Sequence, residues 1–168
     1  MEELYKQNYI KCLSYIQRSY VLAYSSSLLL LSFSLTVSEA NGLQSFPLPF
    51  FELELPRLIA VFVTASFYIM LGFIIFFLNW QLSKIRLKIP RELSEALATY
   101  PSISNTSKLF QVIIVLGLIL IFIVMFKSGQ KPLDWYNAIG SSVTVSFGYL
   151  LSLTPNKWFN KTAKNAAV

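Results

Sequence analysis

The chain has 168 residues, of which 55% are hydrophobic, 15% aromatic and only 13% charged. Soluble domains carry about 25% charged residues, so this sequence has about half of the charge that usually coats a soluble surface. A single cysteine excludes an intrachain disulfide and a thiolate metal cluster, and histidine, the commonest general base, is absent. The composition therefore predicts an integral membrane protein.

Four apolar runs without a charged residue follow one another along the chain, at residues 20–37, 58–80, 109–126 and 136–153. A helix of 18 residues is about 27 Å long, close to the hydrocarbon thickness of about 30 Å. The fourth run is the most polar, and we expect it to enter the membrane by packing against its neighbours. The runs predict an all-α, four-span bundle that forms one integral membrane domain over residues 1–168.

The segment before the first run has an apolar stripe at helical spacing, formed by Tyr5, Tyr9, Leu13, Ile16 and Tyr20. Residues spaced three and four apart lie on one face of a helix, so the segment is predicted to be an amphipathic N-terminal helix. Its apolar face either docks a partner, or packs on lipid or on a loop of the same chain.

The two longest connections between apolar runs are predicted to have different local structures. Residues 81–89 continue the second run or lie along the interface, and Pro90 fits the first turn of a short helix that ends before Pro101. The loop between the first two runs contains three prolines, which exclude a long helix, and residues 51–55 alternate as in a strand.

The basic residues are distributed unequally between the two sides that four spans would create. Only Arg57, Lys127 and Lys131 lie on one side. The other side has eleven: Lys6, Lys11, Arg18, Lys84, Arg86, Lys88, Arg91, Lys108, Lys157, Lys161 and Lys164. Cytoplasmic loops are enriched in lysine and arginine, so both termini and the connection over residues 81–108 are predicted to be cytoplasmic.

All three tryptophans lie at or just beyond the ends of apolar runs. Trp80 closes the second run, Trp135 precedes the fourth and Trp158 follows it. Indole rings favour the headgroup level, where one side is apolar and the N–H stays hydrated, so we predict that the three act as interfacial anchors. The first run has no clean cleavage site after it, and we expect it to remain as a helix.

The sequence contains no recognisable arrangement of catalytic residues. None of the eight acidic residues lies within an apolar run, and no phosphate-binding loop, Gly-x-Ser-x-Gly or His-Glu-x-x-His motif occurs. The net charge of +6 flanks the apolar runs and forms no separate basic module that would bind nucleic acid. We therefore expect no enzymatic activity, no cofactor, no metal site and no nucleic-acid partner.

The fourth run contains two candidate functional patterns. Gly140, Thr144 and Gly148 recur every four residues, the spacing that lets membrane helices pack closely, within the bundle or against a partner. Gly72 and Gly117 are further candidates for close packing. Alternatively, Ser142 and Ser146 form a polar face that would line a pore in an oligomer.

The patterns together favour a non-catalytic role. We expect an accessory, scaffold or inhibitory subunit of a plasma membrane, of bacterial type, with another membrane protein or a second copy of the chain as partner. In size and hydropathy the chain is similar to the multi-span immunity proteins of pore-forming colicins, although no motif is shared. The alternative is a small oligomeric channel or transporter, although no ionisable residue for coupled transport lies within the runs.

Overall fold

The structure, a computed structural model, describes residues 2–35, 45–48, 51–86, 88–128 and 132–154, which are predominantly helical. The helices are α1 (Glu2–Leu35), α2 (Arg57–Arg86), α3 (Arg91–Ala98), a 3-10 turn (Ile103–Asn105), α4 (Lys108–Ser128), α5 (Trp135–Val145) and α6 (Phe147–Ser152). One antiparallel hairpin, β1 (Ser45–Leu48) and β2 (Phe51–Pro56), precedes α2. Strand β2 coincides with the alternating segment that the sequence predicts to be extended.

Helix α1 joins the amphipathic segment and the first apolar run without a break. Its 34 residues make it about 51 Å long, which exceeds the full bilayer thickness of about 40–45 Å. The predicted stripe is buried: Tyr9, Leu13 and Ile16 are fully inaccessible and Tyr20 nearly so. The stripe packs inside the chain, against α2 and the 3-10 turn, because those elements present apolar partners at the same level.

Two helices are long and apolar enough to cross a membrane, over Ile59–Arg86 and Lys108–Ser128. They correspond to the second and third apolar runs. Helix α2 continues beyond the second run to Arg86, as the first of the two alternatives for residues 81–89 predicts. Pro90 then caps the short helix α3, as its position in the sequence predicts.

The fourth apolar run is divided, which corrects the expectation of one uninterrupted helix. Helix α5 has 11 residues and α6 has six, and Ser146 between them leaves the helical region with φ −92° and ψ 10°. Neither part reaches the roughly 18 residues that a span needs. The start of α5 is sharp, because the Asp134 carboxylate accepts a hydrogen bond from the Asn137 backbone N–H at 3.1 Å.

The helices pack around an interior in which α1 has the central place. Helix α1 lies along α2 and also contacts α4, whereas α5 packs on α4 and α6 packs on α2. Three tyrosine rings lie in this interior, Tyr20 and Tyr68 on either side of Tyr149, with centroids 6.3 and 4.8 Å from it. Phe122 of α4 packs on Tyr68 at 4.6 Å, so one aromatic cluster connects the helices.

Candidate functional site

Helix α6 crosses α2 at a contact between two glycines. A Cβ atom placed on Gly148 would lie 2.7 Å from the backbone carbonyl carbon of Gly72 and 2.9 Å from the backbone nitrogen of Phe73. A Cβ on Gly72 would in turn lie 2.8 Å from the Tyr149 ring. Real side chains do not approach a backbone this closely, so a Cβ at position 148 would push the two helices apart, whereas a Cβ at position 72 would require the Tyr149 ring to shift. The packing role that the sequence indicates for Gly148 and Gly72 agrees with this geometry.

The two serines of the predicted polar face point into the bundle. Ser142 and Ser146 are fully buried. The Ser142 hydroxyl donates to the carbonyl of Ala138 at 2.7 Å, and the Ser146 hydroxyl is 3.0 Å from the hydroxyl of Tyr68. Both hydroxyls are therefore occupied inside one chain. In this arrangement they do not form a face that a second copy could share as a pore lining.

Tyrosine hydroxyls form the other polar contacts of the interior. Tyr149 donates to the carbonyl of Tyr68 at 2.7 Å, Tyr24 donates to the carbonyl of Ile114 at 2.5 Å, and Tyr20 is 3.3 Å from the Ser152 hydroxyl. A Cβ on Gly117 would lie 2.6 Å from the Tyr24 hydroxyl. Tyr24 and Tyr149 were not predicted as functional residues, and Tyr20 was predicted only as part of the apolar stripe. Their presence within apolar runs was the available signal, since a phenol away from water needs a hydrogen-bond partner.

The outer face of α5 differs from the inner one. A Cβ on Gly140 would meet no atom within 4 Å among the described residues, and Thr144 is exposed, with its hydroxyl bonded to the Gly140 carbonyl of its own helix. Gly140 and Thr144 therefore do not share the packing of Gly148 among the described residues, and the alternative, close packing against a partner, stays a prediction. A four-residue repeat turns by about 40° per step on a helix with 3.6 residues per turn, and the helix is also interrupted at Ser146, so Gly148 does not share a face with Gly140.

We define the outer face of α5 as the exposed residues Tyr136, Ile139, Gly140, Val143 and Thr144 of this helix together with Phe147, the first residue of α6. Tyr136 is 85% exposed. Beside this face runs an open groove of about 690 Å³, which Phe126 of α4 borders on the other side. The small residues at 140 and 144 leave backbone accessible between larger apolar side chains, the arrangement through which membrane helices approach one another.

Two of the three tryptophans have a lysine on the ring face. The Lys84 ammonium lies 3.6 Å from the Trp80 ring centroid, and the Lys127 ammonium lies 4.7 Å from that of Trp135. Lys127 also donates to the carbonyl of Leu133 at 3.1 Å. An indole with a cation on its face suits a boundary between apolar and hydrated regions. Trp158 lies outside the described residues, so its anchoring role stays a prediction.

A polar cluster joins the elements at the end of the bundle opposite to the hairpin. The Arg86 guanidinium donates to the buried Tyr9 hydroxyl at 2.6 and 2.8 Å and to the Asn105 amide oxygen at 2.8 Å. The Asn105 amide nitrogen donates to the carbonyls of Leu97 and Tyr100 at 3.0 and 2.9 Å. We call Tyr9, Arg86 and Asn105 the Arg86 cluster. It connects α1, α2, α3 and the 3-10 turn.

The outward surfaces of the helices carry many large apolar side chains. On α2 the side chain of Phe62 is 70% exposed, and on α4 that of Leu109 is 73% exposed. The interior is mainly hydrophobic and also contains serines, among them Ser26 and Ser27. Soluble proteins rarely expose so much contiguous apolar surface, so the outer surface is suited to contact with an apolar medium.

Among the described residues, no group of three or more His, Cys, Asp and Glu side chains is placed to hold a metal ion. The expectation of no catalysis stays a prediction. Comparison of the chain with models of known protein families, with characterised proteins and with solved structures found no match. A function can therefore be inferred only from the geometry of the chain itself.

Proposed function

We propose that the chain is a four-pass protein of a plasma membrane, of bacterial type, with both termini in the cytoplasm. The two apolar helices and the outward-facing phenylalanines and leucines support a membrane location. The unequal distribution of basic residues supports the orientation. The first and fourth runs then cross the membrane by packing on α2 and α4, which present partners for their serines and tyrosines.

Within that membrane, we propose a non-catalytic role as an accessory, scaffold or inhibitory subunit that binds another membrane protein. The observation that carries this proposal is the outer face of α5, where Gly140 and Thr144 open an apolar helix surface beside a groove. The occupant that fits is a transmembrane helix of the partner. Such a helix contacts the exposed backbone at Gly140 and packs between Tyr136 and Phe147.

A channel or transporter formed by several copies is the competing function. The hydroxyls that would line its pore, those of Ser142 and Ser146, are turned inward and occupied by contacts within one chain. A pore lined by these serines would require the contact between Tyr68 and Ser146 to open. No comparable rearrangement is needed for docking at α5, and the geometry therefore favours the binding role.

Gly140→Leu is expected to abolish partner binding without disturbing the fold. The new side chain enters open space, because no described atom lies within 4 Å of its Cβ, but it blocks the approach of a second helix. Mild-detergent purification of the tagged chain from native membranes, followed by mass spectrometry, should recover one stoichiometric membrane protein. We expect at least a tenfold lower yield of that protein with Gly140→Leu, an effect of about 1.4 kcal/mol or more.

Ser66→Leu on the exposed face of α2 is the matched control, since it also places leucine on an outward helix face. It should retain the partner. Equal recovery with Gly140→Leu would contradict docking at α5. A pure homo-oligomer that conducts ions in liposomes would favour the channel instead.

Cys12 allows a direct test of orientation, since it is the only cysteine and lies on the predicted cytoplasmic side. A membrane-impermeant maleimide should label it in inside-out vesicles and not in right-side-out ones. Burial raises the pKa of the Cys12 thiol, and only the thiolate reacts, so labelling should accelerate as the pH is increased from 7 to 9.

A Cys12→Ser, Ser128→Cys double variant provides the reverse control for this test. Ser128 is exposed at the end of α4 that is predicted to face outward. Its cysteine should be labelled only in right-side-out vesicles. The opposite pattern in both proteins would invert the proposed orientation.

A further inference from the structure

The exposed residues of α1 are mostly polar before Arg18, apart from Leu4 and Tyr15, and mostly apolar after it. Tyr9 contacts Arg86 and Asn105, while Tyr24 contacts Ile114, so Arg18 lies between these two levels of the bundle. Arg18 is exposed, and Val21 and Leu22 in the next turn are exposed as well. On the proposed orientation, which this inference requires, Arg18 is at the cytoplasmic headgroup level.

A groove lies on this part of α1. Among the described residues it is lined by Ser14, Gln17, Arg18, Val21 and Leu22, and its volume is about 530 Å³. The residues between 14 and 22 extend about 12 Å along the helix axis. One headgroup layer is about 5–7 Å thick, which is half of the difference between the full bilayer and its hydrocarbon core. The groove is longer than this layer, so it also covers the first part of the acyl layer.

Along the groove, polar, cationic and apolar side chains follow one another, in the order that suits the headgroup, the phosphate and the acyl chain of a phospholipid. Ser14 and Gln17 offer hydrogen-bonding groups, Arg18 offers a cation, and Val21 and Leu22 offer apolar surface below it. Within the described part of the chain, Arg18 has no hydrogen bond and no ion pair. A guanidinium presents paired N–H donors that match the oxygens of a phosphate, so an anion at this position would meet an available donor set.

We infer that the α1 groove binds an anionic phospholipid of the cytoplasmic leaflet, with the phosphate on Arg18 and an acyl chain along Val21 and Leu22. The charge of Arg18 and the apolar continuation of the groove select this occupant. A basic residue near a membrane surface contributes about 1 kcal/mol to anionic-lipid binding, which corresponds to about a fivefold preference.

The test uses the full chain reconstituted in nanodiscs of phosphatidylcholine and then exchanged into discs that contain equal phosphatidylglycerol and phosphatidylcholine. Native mass spectrometry of the released protein measures the ratio of the two retained lipids. We expect phosphatidylglycerol to be retained about fivefold over phosphatidylcholine in the unaltered chain, and the preference to disappear with Arg18→Gln. Lys88→Gln removes an exposed cytoplasmic charge outside the groove and should keep the preference.

The other outcomes overturn the inference in distinguishable ways. If Arg18→Gln and Lys88→Gln reduce the preference for phosphatidylglycerol equally, the basic surface as a whole attracts anionic lipid and the groove is not a specific site. If the Arg18→Gln variant retains phosphatidylglycerol as well as the unaltered chain does, Arg18 does not bind the lipid phosphate. Binding of free glycerol phosphate with the same dependence on Arg18 would identify an anion site without a lipid. Failure to enter the phosphatidylcholine discs would reject the proposed membrane location itself, whereas insertion without lipid preference would reject only the lipid site.

Discussion

Gly148→Ala is expected to destabilise the bundle by about 1–3 kcal/mol, the usual range for an inserted methyl group in a close-packed interior. The added Cβ would lie 2.7 Å from the backbone of Gly72, and backbone cannot move aside as a flexible side chain can. Helices α2 and α6 must therefore separate, which also weakens the hydrogen bond from Tyr149 to the Tyr68 carbonyl. Thermal unfolding in mild detergent measures this effect, and Gly148→Leu should prevent folding.

Gly140→Ala is the matched control for this substitution, because it makes the same change in the adjacent helix. Its Cβ meets nothing within 4 Å among the described residues. Alanine is a better helix former than glycine by about 1 kcal/mol, so the variant should be unchanged or more stable by up to that amount. Similar destabilisation at both positions would show that the Gly72–Gly148 crossing is not the reason for the effect.

Asn105→Ala is expected to destabilise the end of the bundle that contains the Arg86 cluster by about 2 kcal/mol, since hydrogen bonds to charged groups contribute about 1.5–3 kcal/mol. The substitution removes the amide oxygen that Arg86 contacts and both donors to the carbonyls of Leu97 and Tyr100. We expect limited proteolysis to cleave the connection between α2 and α4 more rapidly, and thermal unfolding to begin at a lower temperature.

Asn8→Ala controls for the loss of an asparagine at the same end of the molecule. Asn8 is exposed and adjacent to Tyr9, so its substitution should change stability by less than about 0.5 kcal/mol. If Asn105→Ala and Asn8→Ala both leave the proteolysis rate and the unfolding temperature unchanged, the Arg86 cluster does not stabilise the connection between α2 and α4. Tyr9→Phe should give an intermediate result, because it keeps the ring and removes only the hydroxyl that Arg86 contacts.

Gly148→Ala and Asn105→Ala test contacts that differ in how far the sequence alone predicts them. Gly148 and Gly72 were recognisable as packing candidates, since glycine within an apolar run has few other roles. Asn105 was not, because it lies in a polar turn and two of its partners, Arg86 and Tyr9, are 19 and 96 residues away in the chain. Hydrogen-bond partners at such separations depend on how the helices are arranged, and no local pattern specifies this.

The outer face of α5 is a second instance of the same limit. The four-residue repeat does not indicate which small residue is buried, since Gly148 lies against α2 whereas Gly140 and Thr144 lie outside. Such a repeat turns by about 40° per step on a helix with 3.6 residues per turn, and the helix is interrupted at Ser146. Which glycine is buried therefore depends on how α6 packs on α2, where Ser146 also contacts Tyr68.

The sequence by itself determined the apolar segments, the two helices able to cross a membrane, the short helix after Pro90 and the extended segment before α2. These features follow from local composition, periodicity and proline positions, which act over a few neighbouring residues. Only the tertiary structure decided that the stripe of α1 is buried within the chain, that the fourth run divides at Ser146 and that its serines point inward. Those outcomes depend on which side chains meet between helices, because a buried hydroxyl or guanidinium needs a partner and that partner comes from another part of the chain.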